Sequence, residues 1–146
     1  MKEIIENGTI GKVINVQIRF SVPPRDLDYK NEKELPWRLQ PDIAGGGYFY
    51  DLAPHQIDLL QNIFGVITRA HGYPANRAHL YKAEDTVSAC FFFENGVTGS
   101  GSWCFVGHES AKEDRIEVIG DKGSLSFSVF TYEPIVLITS EGKQSI

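Results

Sequence analysis

Only one stretch of the chain, 48–64, carries a long helical pattern, and almost everything after it reads as short strands. Leu52, Leu59, Leu60 and Ile63, with Ala53 and Ile57, form one apolar stripe along that stretch, and Gly65 suits a C-terminal stop. Strands are expected near 67–74, 86–94, 97–105, 115–119, 124–130 and 135–140, with Asn95-Gly96 and Asp121-Lys122-Gly123 as turns. Upstream, 13–22 (VINVQIRFSV) alternates apolar and polar residues as a half-buried strand does, and Pro23-Pro24 ends it. A polar segment then runs to Pro36, and 2–6 reads as a short helix stopped by Asn7-Gly8. One principal helix among many strands gives an α+β fold: an open, mostly antiparallel sheet with the helix on one face. Residues 1–146 are expected to form a single domain, without repeat or linker.

A two-residue turn at Asn95-Gly96 would set Glu94 opposite Val97, Phe92 opposite Gly99, Cys90 opposite Gly101 and Val87 opposite Cys104. That register puts Cys90 and Cys104 on opposite faces, so no disulfide is expected and both are read as reduced, buried thiols. It also makes both faces of the hairpin apolar: Val87, Ala89, Phe91 and Phe93 on one, and Cys90, Phe92, Val97, Trp103 and Phe105 on the other. One helix covers one face, so the second implies another domain or subunit.

The net charge of −5, with no basic cluster, excludes an electrostatic footprint for nucleic acid. No apolar run reaches the length of a membrane span, and MKEIIENGTIGK has no signal-peptide apolar region, so a cytoplasmic location is expected. Gly45-Gly46-Gly47 lies in the wrong spacing and context for a dinucleotide fingerprint, Gly99-Ser100-Gly101 lacks the third glycine, and no Walker-type motif occurs. The glycines are expected to give the backbone tight passage into the helix.

Asp51 and His55 are four apart, so on a helix they share a face, and the carboxylate can orient the imidazole for proton transfer with a substrate hydroxyl. The alternative is that Pro54 marks a helix start near Leu52 and Asp51 is its N-cap; the two roles are compatible. A metal site on Asp51, His55 and Asp58 has no support from His71, His79 or His108. Trp37-Arg38, in a loop between prolines, offers a guanidinium for hydroxyl or carboxylate groups, or else is a surface loop anchored by a buried tryptophan.

The order I-G-x-V, W-R, G-G-G, D-L-x-x-H-x-x-D-L-L, E-D-x-V and F-x-N-G-V resembles the C-terminal domain of the glucose–fructose oxidoreductase / inositol dehydrogenase / MocA-type (Gfo/Idh/MocA) oxidoreductases, from about Ile10 to Ser140. GGGYFYDLAPHQIDLL is its most specific part. The resemblance implies a catalytic role for His55, a supporting or substrate-binding role for Asp51, and Trp37 and Arg38 near the substrate. It further implies a sugar or polyol substrate, a homo-oligomer built through the sheet, and NAD or NADP bound mainly by a Rossmann domain. This chain holds neither that domain nor the family's E-K-P lysine, and Ala53-Pro54 replaces the Gly-x often found before the histidine. It is therefore expected to be a fragment of a longer dehydrogenase, inactive alone, with hydride passing between substrate carbon and nicotinamide while His55 exchanges the hydroxyl proton. The alternative is a non-catalytic binding or assembly module.

Overall fold

A computed structural model describes residues 1–31, 34–131 and 133–146. Residues 32 and 33 of the polar segment lie outside the described residues. Among the described residues three α-helices, α1 (Lys2–Glu6), α2 (Pro41–Ala44) and α3 (Tyr48–Phe64), and short 3-10 turns, one of them Trp37–Leu39, accompany strands β1 (Val13–Ser21), β2 (Ile67–Ala75), β3 (Thr86–Phe93), β4 (Thr98–Cys104), β5 (Glu113–Gly120), β6 (Gly123–Phe127), β7 (Val136–Thr139) and β8 (Gly142–Ser145). The strands form one sheet in the order β2-β3-β4-β1-β5-β6-β7-β8, with only the β1–β4 pairing parallel among those described. This is the expected α+β fold: an open, mostly antiparallel sheet with α3 on one face.

The helix lies down on that face because Ala53, Gln56, Leu60 and Phe64 recur at helical spacing and are all buried. Gln56 meets Trp103 of β4, and Ala53, Leu60 and Phe64 share one buried core with Ile18 of β1 and Ile116 and Val118 of β5, each almost wholly shielded from solvent. Pro54 sits inside α3 and does not mark its start. It only deprives the Tyr50 carbonyl of an intrahelical donor, and Tyr50 is an exposed residue.

The expected hairpin register is one residue off. Gly96 N donates to Phe93 O at 3.0 Å, Phe93 N donates to Val97 O at 3.0 Å, and Gly96 has φ +87°. The loop therefore has three residues, with the glycine in the left-handed region, while the Asn95 side chain accepts from Val97 N at 3.0 Å. Phe91 now faces Gly99, Cys90 faces Ser100, and Thr86 faces Cys104.

Because a one-residue shift exchanges faces, two further expectations are corrected. Val87, Phe91, Phe93, Val97 and Trp103 share the buried face, while Ser88, Cys90, Phe92, Thr98, Ser100 and Ser102 share the outer one. That outer face is polar, so it does not by itself demand cover. Cys90 and Cys104 lie on the same face, four residues apart along the strands, or about 13 Å, too far for a disulfide. Nor are they buried: Cys90 is exposed and Cys104 half-buried.

The glycines of β4 follow from the same register. A side chain at Gly99 would run into the Phe91 ring, and one at Gly101 into the Trp103 indole.

Candidate active site

Two backbone devices deliver the first turn of α3. Gly45 ends α2 with φ +81°, the left-handed conformation that a glycine adopts without strain. Gly47 then passes so close to the neighbouring chain that a Cβ there would lie 2.6 Å from the Glu84 carbonyl oxygen. Its N–H donates to Glu84 Oε1 at 2.8 Å. A carboxylate thus occupies the donor that a bound phosphate would need, and the site does not fit a pyrophosphate.

Gly47 is the N-cap residue and makes no side-chain cap, so Asp51 is not the N-cap. It stands one turn into the helix, where its charge still opposes the positive end of the helix dipole. Its Oδ2 accepts from Arg38 Nε at 2.7 Å, and both side chains are partly exposed. The Arg38 guanidinium lies 4.5 Å from the centre of the Trp37 ring. Trp37 itself is 52% exposed, so it is no buried anchor; it is a platform that holds the arginine toward the helix. Trp37, Arg38, Gly47, Tyr50 and Asp51 line a cleft of about 80 Å³.

His55 is exposed one turn further along. Among the described residues its ring makes no hydrogen bond, so Asp51 points across to Arg38 and not along the helix to the imidazole. The contact that His55 does make is with Phe130, edge to face, with ring centres 6.1 Å apart at 87°. A cavity of about 430 Å³ opens beside this pair, bounded by Leu52, Phe130, Phe20 and the charged Arg25, Lys112 and Glu133. A second, more apolar cavity of about 400 Å³ lies between α3 and strands β2 and β3, against Phe49, Ile57, Ala70, Val87 and Trp103. Neither cavity has Asp51 or His55 in its wall; Phe130 is what links His55 to the first of them. Asp58 is exposed, and no group of three or more metal-ligating side chains comes together among the described residues.

Buried polar contacts that the sequence did not reveal brace this region. Tyr48, the first residue of α3, donates its hydroxyl to Asp28 Oδ1 at 2.7 Å, and Asp28 Oδ2 accepts from Arg25 N at 2.8 Å. Burial, and then the bond to the Asp28 carboxylate, push the Tyr48 phenol well above its ordinary pKa. Burial does the same to Tyr81, with the Asp28 charge adding to it. On the helix's inner side, Trp103 Nε1 donates to Gln56 Oε1 at 2.7 Å. Asp85, also buried, accepts from the backbone of Arg77 and Ala78. Local sequence did not mark Asp28 or Gln56 as buried, since Asp28 lies in the polar segment before Pro36 and Gln56 beside His55, whereas Asp85 belongs to the E-D-x-V run.

Residues 1–126 match the family model described as GFO/IDH/MocA C-terminal domain. Oxidoreductase P35 of Formosa agariphila is 37% identical over 90% of this chain and 39% of its own length. Myo-inositol 2-dehydrogenase of Thermotoga maritima is 30% identical over 97% of this chain and 40% of its own. The chain thus spans about two fifths of the length of these curated relatives. Levoglucosan dehydrogenase, solved in complex with NADH and levoglucosan, superposes on 99% of this chain and 42% of its own with a TM-score of 0.83; at 22% identity that likeness speaks for the fold alone.

Proposed function

Since the chain belongs to the GFO/IDH/MocA family through its C-terminal domain, we propose that it is the substrate-binding part of an NAD(P)-dependent oxidoreductase acting on a sugar or polyol. The observation that carries this reading is the arrangement on the first two turns of α3: a carboxylate held by a stacked arginine, and an exposed histidine one turn on, in contact with Phe130, a wall residue of an open cavity. Two of the curated relatives are an inositol and a levoglucosan dehydrogenase.

Oxidation of a secondary alcohol releases the hydroxyl proton, and His55 takes it as general base. Asp51 Oδ2 is committed to Arg38, while Oδ1 accepts no hydrogen bond among the described residues and is free to receive one from a substrate hydroxyl. The Arg38 terminal nitrogens supply the matching donors. The Gly45–47 segment does not fit a dinucleotide phosphate, so the cofactor is held mainly outside this chain, which alone is inactive. Assembly of copies is assigned to the outer sheet face, where Tyr73, Phe92 and Ile138 stand exposed among polar neighbours.

The test combines two measurements on the chain as it is. Titrating sugars and polyols while recording amide spectra should perturb Arg38, Asp51 and His55 first. Mixing the same compounds with NAD or NADP should produce no reduced nicotinamide. Perturbation confined to the apolar cavity on the other side of α3 would favour a non-catalytic binding module, and turnover by the lone chain would refute the cofactor assignment.

A further inference from the structure

Phe130, the residue that touches His55, belongs to no helix or strand, yet its backbone is pinned. Asp114, the second residue of β5, accepts at Oδ2 from three successive N–H groups: Val129 at 3.0 Å, Phe130 at 2.6 Å and Thr131 at 3.1 Å. Successive donors converging on one carboxylate oxygen form a nest, and charge-assisted bonds of this kind are among the stronger ones a side chain makes. So held, Phe130 meets His55 on one side and Phe20 on another, the latter at 5.4 Å and 71°. The 430 Å³ cavity beside them has Asp114, Phe130 and Phe20 in its wall.

We infer that Asp114 is a positioning residue for His55: it clamps the 129–131 backbone so that the Phe130 ring closes one side of the substrate cavity and limits the rotation of the imidazole. The inference rests on the reading of His55 as the proton acceptor. His55 is an exposed side chain, and among the described residues nothing hydrogen-bonds its ring, so its orientation depends on what packs against it. Phe130 is the aromatic ring it packs against, and Asp114 is the side chain that fixes Phe130. A ring placed there presents an apolar wall to the C–H face of a sugar or polyol, while the hydroxyls turn toward the charged rim of Arg25, Lys112 and Glu133.

The experiment is proton NMR of the His55 ring in the 146-residue chain, which needs neither cofactor nor turnover. An aromatic edge contact displaces the imidazole proton resonances from their free-peptide positions. Phe130→Ala and Asp114→Ala should both move them back toward those positions, with Asp114→Asn, which keeps one acceptor oxygen, in between. The Trp103 indole N–H resonance, deep in the core, should stay where it is and report an intact fold. Unaltered His55 resonances in Phe130→Ala, or in Asp114→Ala with the Trp103 signal unchanged, overturn the inference. If Asp114→Ala does not fold, Asp114→Asn, which keeps the side chain's size and one acceptor oxygen, is read in its place, and His55 resonances unmoved in it overturn the inference. A His55→Ala form of a complete enzyme carrying this chain that kept its turnover would refute the catalytic reading while leaving the ring shifts of the 146-residue chain as measured, so the two failures are distinguishable.

Discussion

Arg38 and Asp51 meet at 2.7 Å across a gap of thirteen residues, so the carboxylate one turn before His55 is paired with the preceding loop and not with the histidine. In the function proposed above, Asp51 and Arg38 form a donor–acceptor unit at the head of α3, and His55, which neither of them engages, exchanges the proton. Both partners are partly exposed, so solvent screens their attraction and the pair contributes little to stability, less than about 1 kcal/mol. Arg38→Lys should therefore unfold in urea within that margin of the parent chain while weakening sugar or polyol binding. A loss of stability well beyond it would make the pair a structural tie.

Tyr48 should behave in the opposite way. Its hydroxyl donates to a fully buried carboxylate, a bond worth about 1.5–3 kcal/mol, so Tyr48→Phe should lower unfolding stability by that amount. An unchanged urea midpoint would show that the Asp28 contact contributes nothing.

The two raised phenols fix a pH dependence. A phenol whose pKa is higher in the folded chain keeps its proton there, so the stability tied to that proton is fully present below the ordinary value of 10.0 and is lost as pH climbs past it. Of the six tyrosines, Tyr48 and Tyr81 should remain protonated until the chain unfolds at alkaline pH. Spectrophotometric titration in which all six ionise together, with the fold intact, would contradict this.

The hairpin loop gives a local test. Gly96 has φ +87°, and a Cβ there would meet no neighbour, so Gly96→Ala isolates backbone strain and should cost about 1 kcal/mol. The same register predicts that Cys90 and Cys104 both stay reactive to thiol reagents under mild oxidation. An intramolecular disulfide would place them nearer than four residues of strand allow.

That register is also where sequence reasoning stopped. The helix 48–64 and the positions of the strands were legible because 3.6- and 2-residue periodicities report burial directly. Asn95-Gly96 was legible as a turn, but a two-residue and a three-residue loop share those letters and differ by the one residue that exchanges faces. The choice lay in the Asn95 side chain bonding to Val97 N and in glycines at 99 and 101 making room for the Phe91 and Trp103 rings. Likewise, Asp51 and His55 were found by their spacing, whereas the Arg38 partnership and the Phe130 contact, 75 residues from His55, depend on tertiary placement. Asp28 and Gln56 stayed hidden for the same reason, their partners lying 20 and 47 residues away.

The most direct measurement is the ratio of turnover with and without the imidazole. The chain would replace the corresponding two fifths of Oxidoreductase P35, so that it is measured within the full length of that relative. Reduction of NAD or NADP by a panel of sugars and polyols would then be compared for the chimera and its His55→Ala variant. The account predicts a fall of about 10²- to 10⁴-fold in kcat, the range a positioned general base supplies, with binding largely retained. A folded chimera whose His55→Ala form turns over as fast as the parent would contradict it.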